Sequence, residues 1–422
     1  MPRKRAVMTE ATTDTGLDGF ASAFRDSATR ELTKKGIAVL NDVIDDLYGI
    51  PLTGNLPLQY LLGVSVLPLE RTLSLVGKKG TLKSTMGWYL ADLVLKHTRP
   101  GVCFFIDAEL KTNWDQVRGI MQNDDILTKF MYPTEVAGLD QMIRAMTAYG
   151  KEYDTLCPKR DIPALYLVDS IGALTSDAAM KAMEKSGSAA DVAGFDNARR
   201  AAELTEHFRA WVPKYLRRHP VVLVYINHSK VKIDQGGGAN FRPGPPEKTS
   251  PGGDHKDYMN TATIELSPDA SGTGEGKKSF SQAKIWMKTI KAALAPTGRK
   301  MSVTLRTEGP KNERYPDGDH LNRHETEGDV QRLYLEFDWD SSLVELLTAE
   351  KGGTVEKARL SDVLDIRPVG SGYFSSDTMG LTKVAAKEMG AAIHADEAIC
   401  KGLQDVLGIL RKREIGSGST EK

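Results

Sequence analysis

The segment from Gly77 to Ser84 has residue types and spacing that suit phosphate binding. It reads Gly-Lys-Lys-Gly-Thr-Leu-Lys-Ser, close to the pattern G-x-x-x-x-G-K-[ST], with Leu82 where the pattern has glycine. In such loops, backbone N–H groups at a helix start bind the anion, a lysine contacts the outer phosphates and a hydroxyl binds Mg²⁺. Lys83 and Ser84 would take the last two roles. A strand–helix turn with two surface lysines would show the same pattern.

Leu82 decides whether this loop is intact. If the sixth position requires a positive φ, leucine costs about 1–2 kcal/mol and distorts the loop. If the position needs only a helix-entry conformation, leucine is tolerated, because backbone groups form the anion-binding concavity. We predict a negative φ at Leu82, with its N–H towards the phosphate and its side chain turned away. The nucleotide-binding candidates are Gly77, Lys78, Lys79, Gly80, Thr81, Leu82, Lys83, Ser84, Thr85 and Asp169.

Two apolar strand candidates end in carboxylates. Val102–Asp107 leads to Glu109, and Leu165–Asp169 lies about 85 residues after the loop. The carboxyl ends of parallel strands form the ligand-binding edge of an open α/β sheet. Glu109 there could orient a water for attack on a γ-phosphate, and Asp169 could support Mg²⁺. Either strand end, taken alone, also suits a solvated surface carboxylate.

A third strand candidate, Val221–Asn227, leads through His228 into a glycine- and proline-rich segment at 229–258. His228 could sense a γ-phosphate, or it could merely cap the strand. Long loops inside a compact domain are usually functional or disordered. Cations with an occasional aromatic suit single-stranded nucleic acid, although a solvated loop can have the same composition. The basic and aromatic residues of this segment include Lys230, Lys232, Phe241, Arg242 and Lys248.

An α/β core must position these residues. Short apolar segments alternate with helical stretches from about residue 49 to residue 306, which predicts a mostly parallel sheet covered by helices on both faces. The strand candidates are Leu73–Val76, Val102–Asp107, Leu165–Asp169, Val221–Asn227, Thr261–Leu266 and Lys284–Lys291.

Further segments flank this core. Residues 1–48 are predicted as a disordered start followed by helix, and 307–329 as a polar linker or insertion. A smaller module at 330–415 follows, with a strand at Leu333–Phe337. Residues 416–422 are predicted as a disordered tail. Helices are expected in this module at 341–350, 355–364, 376–390 and 395–412.

The composition argues against a uniformly basic polyanion-binding protein, a disulfide-rich or cysteine-metal protein and a membrane-spanning protein. Basic and acidic residues balance at 56 each, so any polyanion-binding surface must be local. The three cysteines are far apart in the sequence and form neither a metal-ligand cluster nor a disulfide framework. We therefore expect a reducing cytoplasm. No apolar run approaches the roughly 20 residues needed to span a bilayer, so we expect no membrane partner.

The motifs, in this order, resemble those of RecA-type recombinases. The matching segments are Thr53–Leu58 with Leu67–Arg71, Gly77–Ser84, Phe105–Glu109, Val168–Ser170 and Thr249–Gly253. The branch that looks most similar is the UvsX-type recombinases of tailed bacteriophages. Their loop also has a bulky apolar residue before Lys-Ser, and their third strand ends in Ile-Asn-His, like Ile226–His228. The resemblance covers roughly residues 45–306 well and the C-terminal module only loosely.

The resemblance implies a RecA-like P-loop NTPase core that uses ATP and Mg²⁺, hydrolysing ATP to ADP and phosphate. Lys83 would contact the phosphates, and Ser84 and Asp169 would hold the metal. Glu109 would orient the attacking water and His228 would read the γ-phosphate. Lys83, Glu109 and His228 are therefore the catalytic candidates.

It also implies a helical filament on single-stranded DNA that pairs with duplex DNA, in the cytoplasm of a phage-infected bacterium. Mediator and single-strand-binding proteins would be further partners. Lys288 and Lys291 resemble the basic pair that reaches a neighbouring subunit's ATP, although their spacing departs slightly from the bacterial pattern. DNA-binding loops would lie at about 175–196 and 229–253. The DNA-binding candidates are Arg199, Lys230, Lys232, Phe241, Arg242, Lys248, Gly252 and Gly253.

Other assignments stay open. Phe20–Ala23 could anchor one subunit on the next, or could be a plain helix face, and Trp114 is the nearest candidate for stacking on adenine. A ring helicase with the same fold would carry almost the same motifs. A non-catalytic DNA-binding module with a degenerate loop is the third possibility.

Overall fold

The structure is a computed structural model. It describes residues 49–96, 101–121, 129–133, 136–157, 162–186, 193–216, 219–228, 230–231, 248–249, 260–268, 282–308, 332–337, 347–351, 354–358, 364–370, 373–385, 388–406 and 409. The predicted N-terminal segment 1–48, with Phe20–Ala23, lies outside the described residues. So do most of the predicted linker and the tail 416–422. In the described part of the chain, no helix is long and apolar enough to cross a membrane.

The described helices and strands follow one another in an α/β order. The helices are α1 (Leu56–Leu62), α2 (Lys83–Leu95), α3 (Trp114–Met121), α4 (Leu139–Leu156), α5 (Asp177–Ser186), α6 (Ala193–Lys214), α7 (Met389–Ala395) and α8 (Glu397–Val406). The strands up to residue 308 are β1 (Gly49–Pro51), β2 (Val66–Pro68), β3 (Arg71–Gly77), β4 (Val102–Asp107), β5 (Phe130–Met131), β6 (Ala164–Asp169), β7 (Val221–His228), β8 (Lys230–Val231), β9 (Lys248–Thr249), β10 (Ala262–Pro268), β11 (Gln282–Ala292) and β12 (Lys300–Glu308). Those after it are β13 (Arg332–Phe337), β14 (Leu347–Lys351), β15 (Thr354–Ala358), β16 (Ile366–Gly370), β17 (Tyr373–Ser376) and β18 (Leu381–Ala385).

A nine-stranded sheet forms the centre of the fold, in the order β13-β12-β11-β10-β3-β7-β6-β4-β5. The strands from β10 to β5 pair in parallel, whereas β11, β12 and β13 add to β10 in antiparallel fashion. The predicted mixed α/β fold with a mostly parallel sheet is therefore confirmed. All six strand candidates in the core are strands, with ends that differ from the prediction by only a few residues.

Helices cover both faces of this sheet because alternate residues of each strand point to opposite faces. On β6, Leu165 and Leu167 belong to the core cluster that includes Met86 and Leu90 of α2. Tyr166 of the same strand belongs to the opposite cluster, with residues of α4 and α6. The buried, continuous apolar strands follow from this double coverage.

Parallel pairing brings the carboxyl ends of four strands to one edge. In the register of β3 with β7, Gly77 lies beside His228, and in that of β4 with β6, Asp107 lies beside Asp169. The phosphate-loop motif, both carboxylate strand ends and the histidine strand end therefore meet at the edge where open α/β sheets bind ligands.

The C-terminal part differs from the prediction. Leu333–Phe337 is a strand, but as part of β13 it completes the central sheet instead of starting a separate module. The helices predicted at 341–350, 355–364 and 376–390 are wrong where the structure describes these segments, which form β14, β15, β17, β18 and only the start of α7. The helix predicted at 395–412 is largely confirmed by α8. Leu56 and Tyr60 of α1 pack in a third apolar cluster with Ile366, Met389 and Leu403.

Candidate functional site

The phosphate-loop motif forms a tight turn between β3 and α2. Gly80 has a φ of +78°, a conformation that glycine adopts without steric cost. A Cβ on Gly77 would lie 2.4 Å from the carbonyl oxygen of Leu266, so only glycine allows this approach of β3 to β10. Helix α2 begins at Lys83, and the N–H groups of its first turn face no helical acceptor. The turn is therefore built to present backbone donors and the positive end of a helix.

The prediction for the backbone of Leu82 is wrong. Its φ is +57° and its ψ is +23°, the left-handed conformation, and it occupies the cap position of α2 without a side-chain capping bond. A leucine in this conformation carries a strain of about 1–2 kcal/mol. Its side chain is partly buried against the main core cluster, and this contact helps to offset the strain. The loop keeps the shape that glycine would allow, although the residue is leucine.

Lys83 and Ser84 each have a defined partner. Nζ of Lys83 donates a hydrogen bond to the carbonyl oxygen of Lys78, at 2.6 Å, inside the loop itself. The hydroxyl of Ser84 donates to Oδ2 of Asp169, at 2.5 Å, and so joins the loop to the end of β6. Burial lowers the pKa of Lys83, while the charges of Asp169 and Glu109 act in the opposite direction.

Asp169 is a half-buried carboxyl group among other charges. Burial is the largest influence and raises its pKa, the charges of Glu109 and Asp107 also raise it, and the Ser84 hydrogen bond and the charge of Lys83 lower it; the result is a pKa of about 6. An additional cation at this position would favour the ionised form.

Glu109 contacts three side chains of the site. Its Oε1 accepts a hydrogen bond from the hydroxyl of Ser170, at 2.8 Å, and also contacts Nε2 of His228, at 2.6 Å. Its Oε2 accepts from Nζ of Lys111, also at 2.6 Å. Burial alone would raise the pKa of Glu109, but these three partners outweigh it and lower the pKa to about 2. Glu109 is therefore an ionised carboxylate that orients ligands better than it removes protons.

Asp107 organises the loop that carries Glu109. Its two carboxylate oxygens accept hydrogen bonds from the backbone N–H groups of Glu109, at 3.2 Å, and Thr112, at 2.9 Å. The carbonyl oxygen of Asp169 accepts from the N–H of Ala108, at 2.7 Å. These hydrogen bonds fix the loop after β4 at both ends. They therefore fix the backbone positions of Glu109 and Lys111, which this loop carries.

A cavity of about 270 Å³ lies over these groups. Its walls include the predicted residues Lys79–Thr85, Glu109, Asp169 and His228. The sequence reasoning missed Trp88, Lys111, Thr112 and Gln116 as lining residues and Ser170 as a partner of Glu109. Trp88 follows Ser84 by four residues, the helical spacing that places two side chains on one face, so this signal was present in the sequence.

Other predicted residues lie elsewhere. Trp114 is not among the residues that line this cavity, and its ring instead packs edge-on against Tyr132, with the ring centroids 5.2 Å apart. Lys288 and Lys291 lie on β11, where Lys288 is exposed and stands opposite Glu265 of β10 and Lys300 of β12.

The predicted DNA-binding residues are only partly described. Arg199 is exposed on α6. The first predicted DNA loop is not a continuous loop, because α5 occupies Asp177–Ser186 and α6 begins at Ala193. At the second predicted DNA loop, β8 pairs with β9, and Lys230 stands opposite Thr249. The two ends of the glycine-rich segment therefore meet. Lys232, Phe241, Arg242, Gly252 and Gly253, and the side chains of Lys230 and Lys248, lie outside the described residues.

The described residues contain no cluster of three or more His, Cys, Asp or Glu side chains that could hold a metal ion. A site completed by substrate oxygens needs fewer protein ligands, and Mg²⁺ commonly binds through one or two protein oxygens plus phosphates and water. The hydroxyl of Ser84 and Oδ2 of Asp169 are hard oxygen donors placed side by side, and they fit that requirement.

Comparisons with known proteins add no family assignment. No protein-family model matches this chain, and no curated protein matches it significantly. The fold and the site define a mixed α/β protein with a phosphate-loop motif at the carboxyl edge of its parallel strands.

Proposed function

We propose that this protein is an ATP-dependent DNA recombinase of the RecA type, similar to the UvsX-type enzymes of bacteriophages. It would assemble on single-stranded DNA and promote homologous pairing and strand exchange. The observation that supports this most is the meeting of the three strand ends. Glu109 contacts both Ser170, next to the metal-ligand candidate Asp169, and His228, at the end of β7.

ATP would bind with its phosphates over the loop and the start of α2. The first-turn N–H groups and Lys83 supply positive charge there. Nζ of Lys83 contacts the carbonyl oxygen of Lys78, and a phosphate oxygen is a stronger acceptor for an ammonium group. Lys83 would therefore change partner when ATP binds. Mg²⁺, held by Ser84 and Asp169, would neutralise charge on the β- and γ-phosphates.

Glu109 would orient the water that attacks the γ-phosphate. The water oxygen forms a bond to the γ-phosphorus while the bond from that phosphorus to the bridging oxygen breaks. The bridging oxygen leaves on ADP, and the protons of the water leave with the released phosphate. With its pKa held near 2, Glu109 serves by positioning this water.

The connection from the site to DNA is short. His228 ends β7 in the wall of the cavity that would hold the γ-phosphate, and Lys230 begins the β8–β9 ribbon two residues later. A change at His228 on ATP binding or hydrolysis would be passed along the backbone to the glycine-rich segment that the ribbon closes. Binding of ATP and of DNA would then favour each other, as reciprocal coupling requires.

Three measurements test this proposal. Millimolar ATP with Mg²⁺ should raise the melting temperature of the wild-type protein by mass action, and not that of Lys83→Ala. Electron microscopy with ATP and single-stranded DNA should show open helical filaments, whereas closed rings would indicate a helicase. Duplex invasion by the coated strand should depend on ATP. Absence of any thermal shift would instead favour a non-catalytic module.

A further inference from the structure

The two oxygens of Glu109 have different partners. Oε1 contacts Ser170 and His228, and both partners are held by the sheet, at the ends of β6 and β7. Oε2 contacts only one described side chain, Lys111, at 2.6 Å. A water that Glu109 orients needs a carboxylate oxygen with a vacant acceptor direction. Oε2 is the oxygen that can supply one, because Lys111 uses only one of its two acceptor directions. The ammonium group of Lys111 nevertheless competes with a water for this oxygen, and its departure would leave both directions to the water.

Lys111 is placed to make this movement. Its side chain is 64% exposed, whereas that of Glu109 is 15% exposed. Its backbone lies within the loop that Asp107 anchors through Glu109 and Thr112, so the side chain can move while its root stays fixed. An ion pair with so exposed a partner is weak and exchanges readily.

Lys111 also shares its electrostatic surroundings with Lys83. Both lysines are attracted by Glu109 and Asp169, and both line the same cavity. Lys83 projects from the start of α2 and Lys111 from the loop after β4, so they approach the cavity from different elements. A triphosphate in this cavity would therefore have two lysine side chains available for its phosphates.

We propose that Lys111 is a second phosphate-binding lysine, which transfers its contact from Oε2 of Glu109 to the terminal phosphate of a bound triphosphate. This inference rests on the proposed ATP site. The transfer uncovers Oε2 only when a γ-phosphate is present, because a diphosphate leaves Lys111 nearer to Glu109. Lys111 thereby couples the positioning of the water to the identity of the nucleotide, and it discriminates ATP from ADP.

The test compares nucleotide affinities of full-length variants. Fluorescently labelled ADP and a labelled, slowly hydrolysed ATP analogue are titrated with wild-type protein, Lys111→Met and Lys111→Arg. Methionine removes the charge and keeps the length of the side chain. We expect Lys111→Met to bind the triphosphate about tenfold more weakly, with the affinity for ADP changed less than about twofold, and Lys111→Arg to recover most of the loss.

Two further variants make the outcomes distinguishable. Lys151→Met removes an exposed lysine of α4 and should change neither affinity. Lys83→Met should lose affinity for both nucleotides. Equal loss of ATP and ADP affinity in Lys111→Met, or no loss, overturns the role of Lys111 while leaving the ATP site standing. If the wild-type protein binds neither nucleotide, the proposed function fails, and the role of Lys111 fails with it.

Discussion

Nε2 of His228 lies 2.6 Å from Oε1 of Glu109, across 119 residues of sequence. The contact joins the end of β7 to the loop after β4, and it forms because β4, β6 and β7 run parallel and end at one edge. Taken alone in the sequence, neither residue indicates a particular function. The parallel sheet brings the two residues together, and their contact connects the loop that carries Glu109 to the segment that leads into the β8–β9 ribbon.

Replacing Glu109 with glutamine should separate ATP binding from hydrolysis. The amide keeps the shape of the side chain but lacks the negative charge that, in the proposed function, would orient the attacking water. We expect ATP affinity close to that of the wild-type protein and turnover lowered by about 100-fold or more. Steady-state phosphate release measures the turnover, and Glu152→Gln, an exposed change on α4, is the matched control. Turnover within a few-fold of wild type would remove Glu109 from the reaction.

The left-handed backbone of Leu82 predicts an unusual order of stability among variants. Leu82→Gly and Leu82→Ala both lose the packing of the side chain, but only glycine relieves the strain at a φ of +57°. We expect the glycine variant to be more stable than the alanine variant by about 1 kcal/mol. Chemical denaturation of both proteins measures this difference. Equal stabilities, or a more stable alanine variant, would show that φ at this position is negative.

The same residue shows where sequence reasoning failed. The glycine pattern predicted the turn, the helix start and the placement of Ser84 close to Asp169, whereas the contact of Lys83 with the carbonyl oxygen of Lys78 was not predicted. The conformation of Leu82 could not be predicted, because two effects compete. Strain at the residue disfavours the left-handed conformation, whereas the packing of Leu82 on the core favours it. Only the tertiary structure shows which effect is larger.

Because burial lowers the pKa of His207, we expect the free energy of unfolding to fall in mild acid. This residue of α6 is buried beside Phe208 and Trp211, and burial lowers its pKa from 6.5 to about 4. Between these two values the unfolded chain binds a proton that the folded chain does not, so stability falls as the pH falls. The contribution between pH 7 and pH 5 is about 2 kcal/mol.

Replacement of His207 with glutamine isolates this effect. The free energy of unfolding of His207→Gln should depend less on pH in this range than that of wild type, whatever its absolute stability. The raised pKa of Asp169 acts in the opposite direction, but it is common to both proteins. Parallel pH profiles for the two proteins would show that His207 is protonated as readily in the folded chain as in the unfolded one.

Lys288 should matter only in the assembled protein if it reaches a neighbouring subunit's ATP. We expect Lys288→Ala to lower DNA-dependent turnover by about tenfold, with ATP affinity at low protein concentration unchanged. Lys284→Ala, another exposed lysine of β11, is the matched control and should have little effect. If both variants lose turnover equally, the loss reflects the general charge of this strand and not a contact by Lys288.

The C-terminal region marks the limit of prediction from local pattern. Leu333–Phe337 was recognisable as a strand from its apolar residues. Its place in the central sheet depends on pairing with β12, across residues 309–331, and no local signal carries that information. Segments such as 355–364 contain helix-favouring residues, yet Thr354–Ala358 forms β15 because pairing with β14 overrides intrinsic propensity.

Lys111 and Ser170 were missed for a related reason. Each is adjacent or nearly adjacent in sequence to a predicted residue, but its role appears only when the ends of β4 and β6 are brought together. By contrast, Lys83, Ser84, Glu109, Asp169 and His228 were predicted to act at one site, and the structure places all five around one cavity. Their proposed roles stay predictions.

The most direct test of the proposed function is ATP hydrolysis by the full-length protein with and without single-stranded DNA. Wild-type turnover should rise by about tenfold or more when the DNA is added, because ATP and DNA favour the same assembled state. Lys83→Met should abolish the stimulated rate. A turnover that is indifferent to DNA, or that survives the loss of Lys83, would contradict the assignment of a DNA-dependent ATPase at this site.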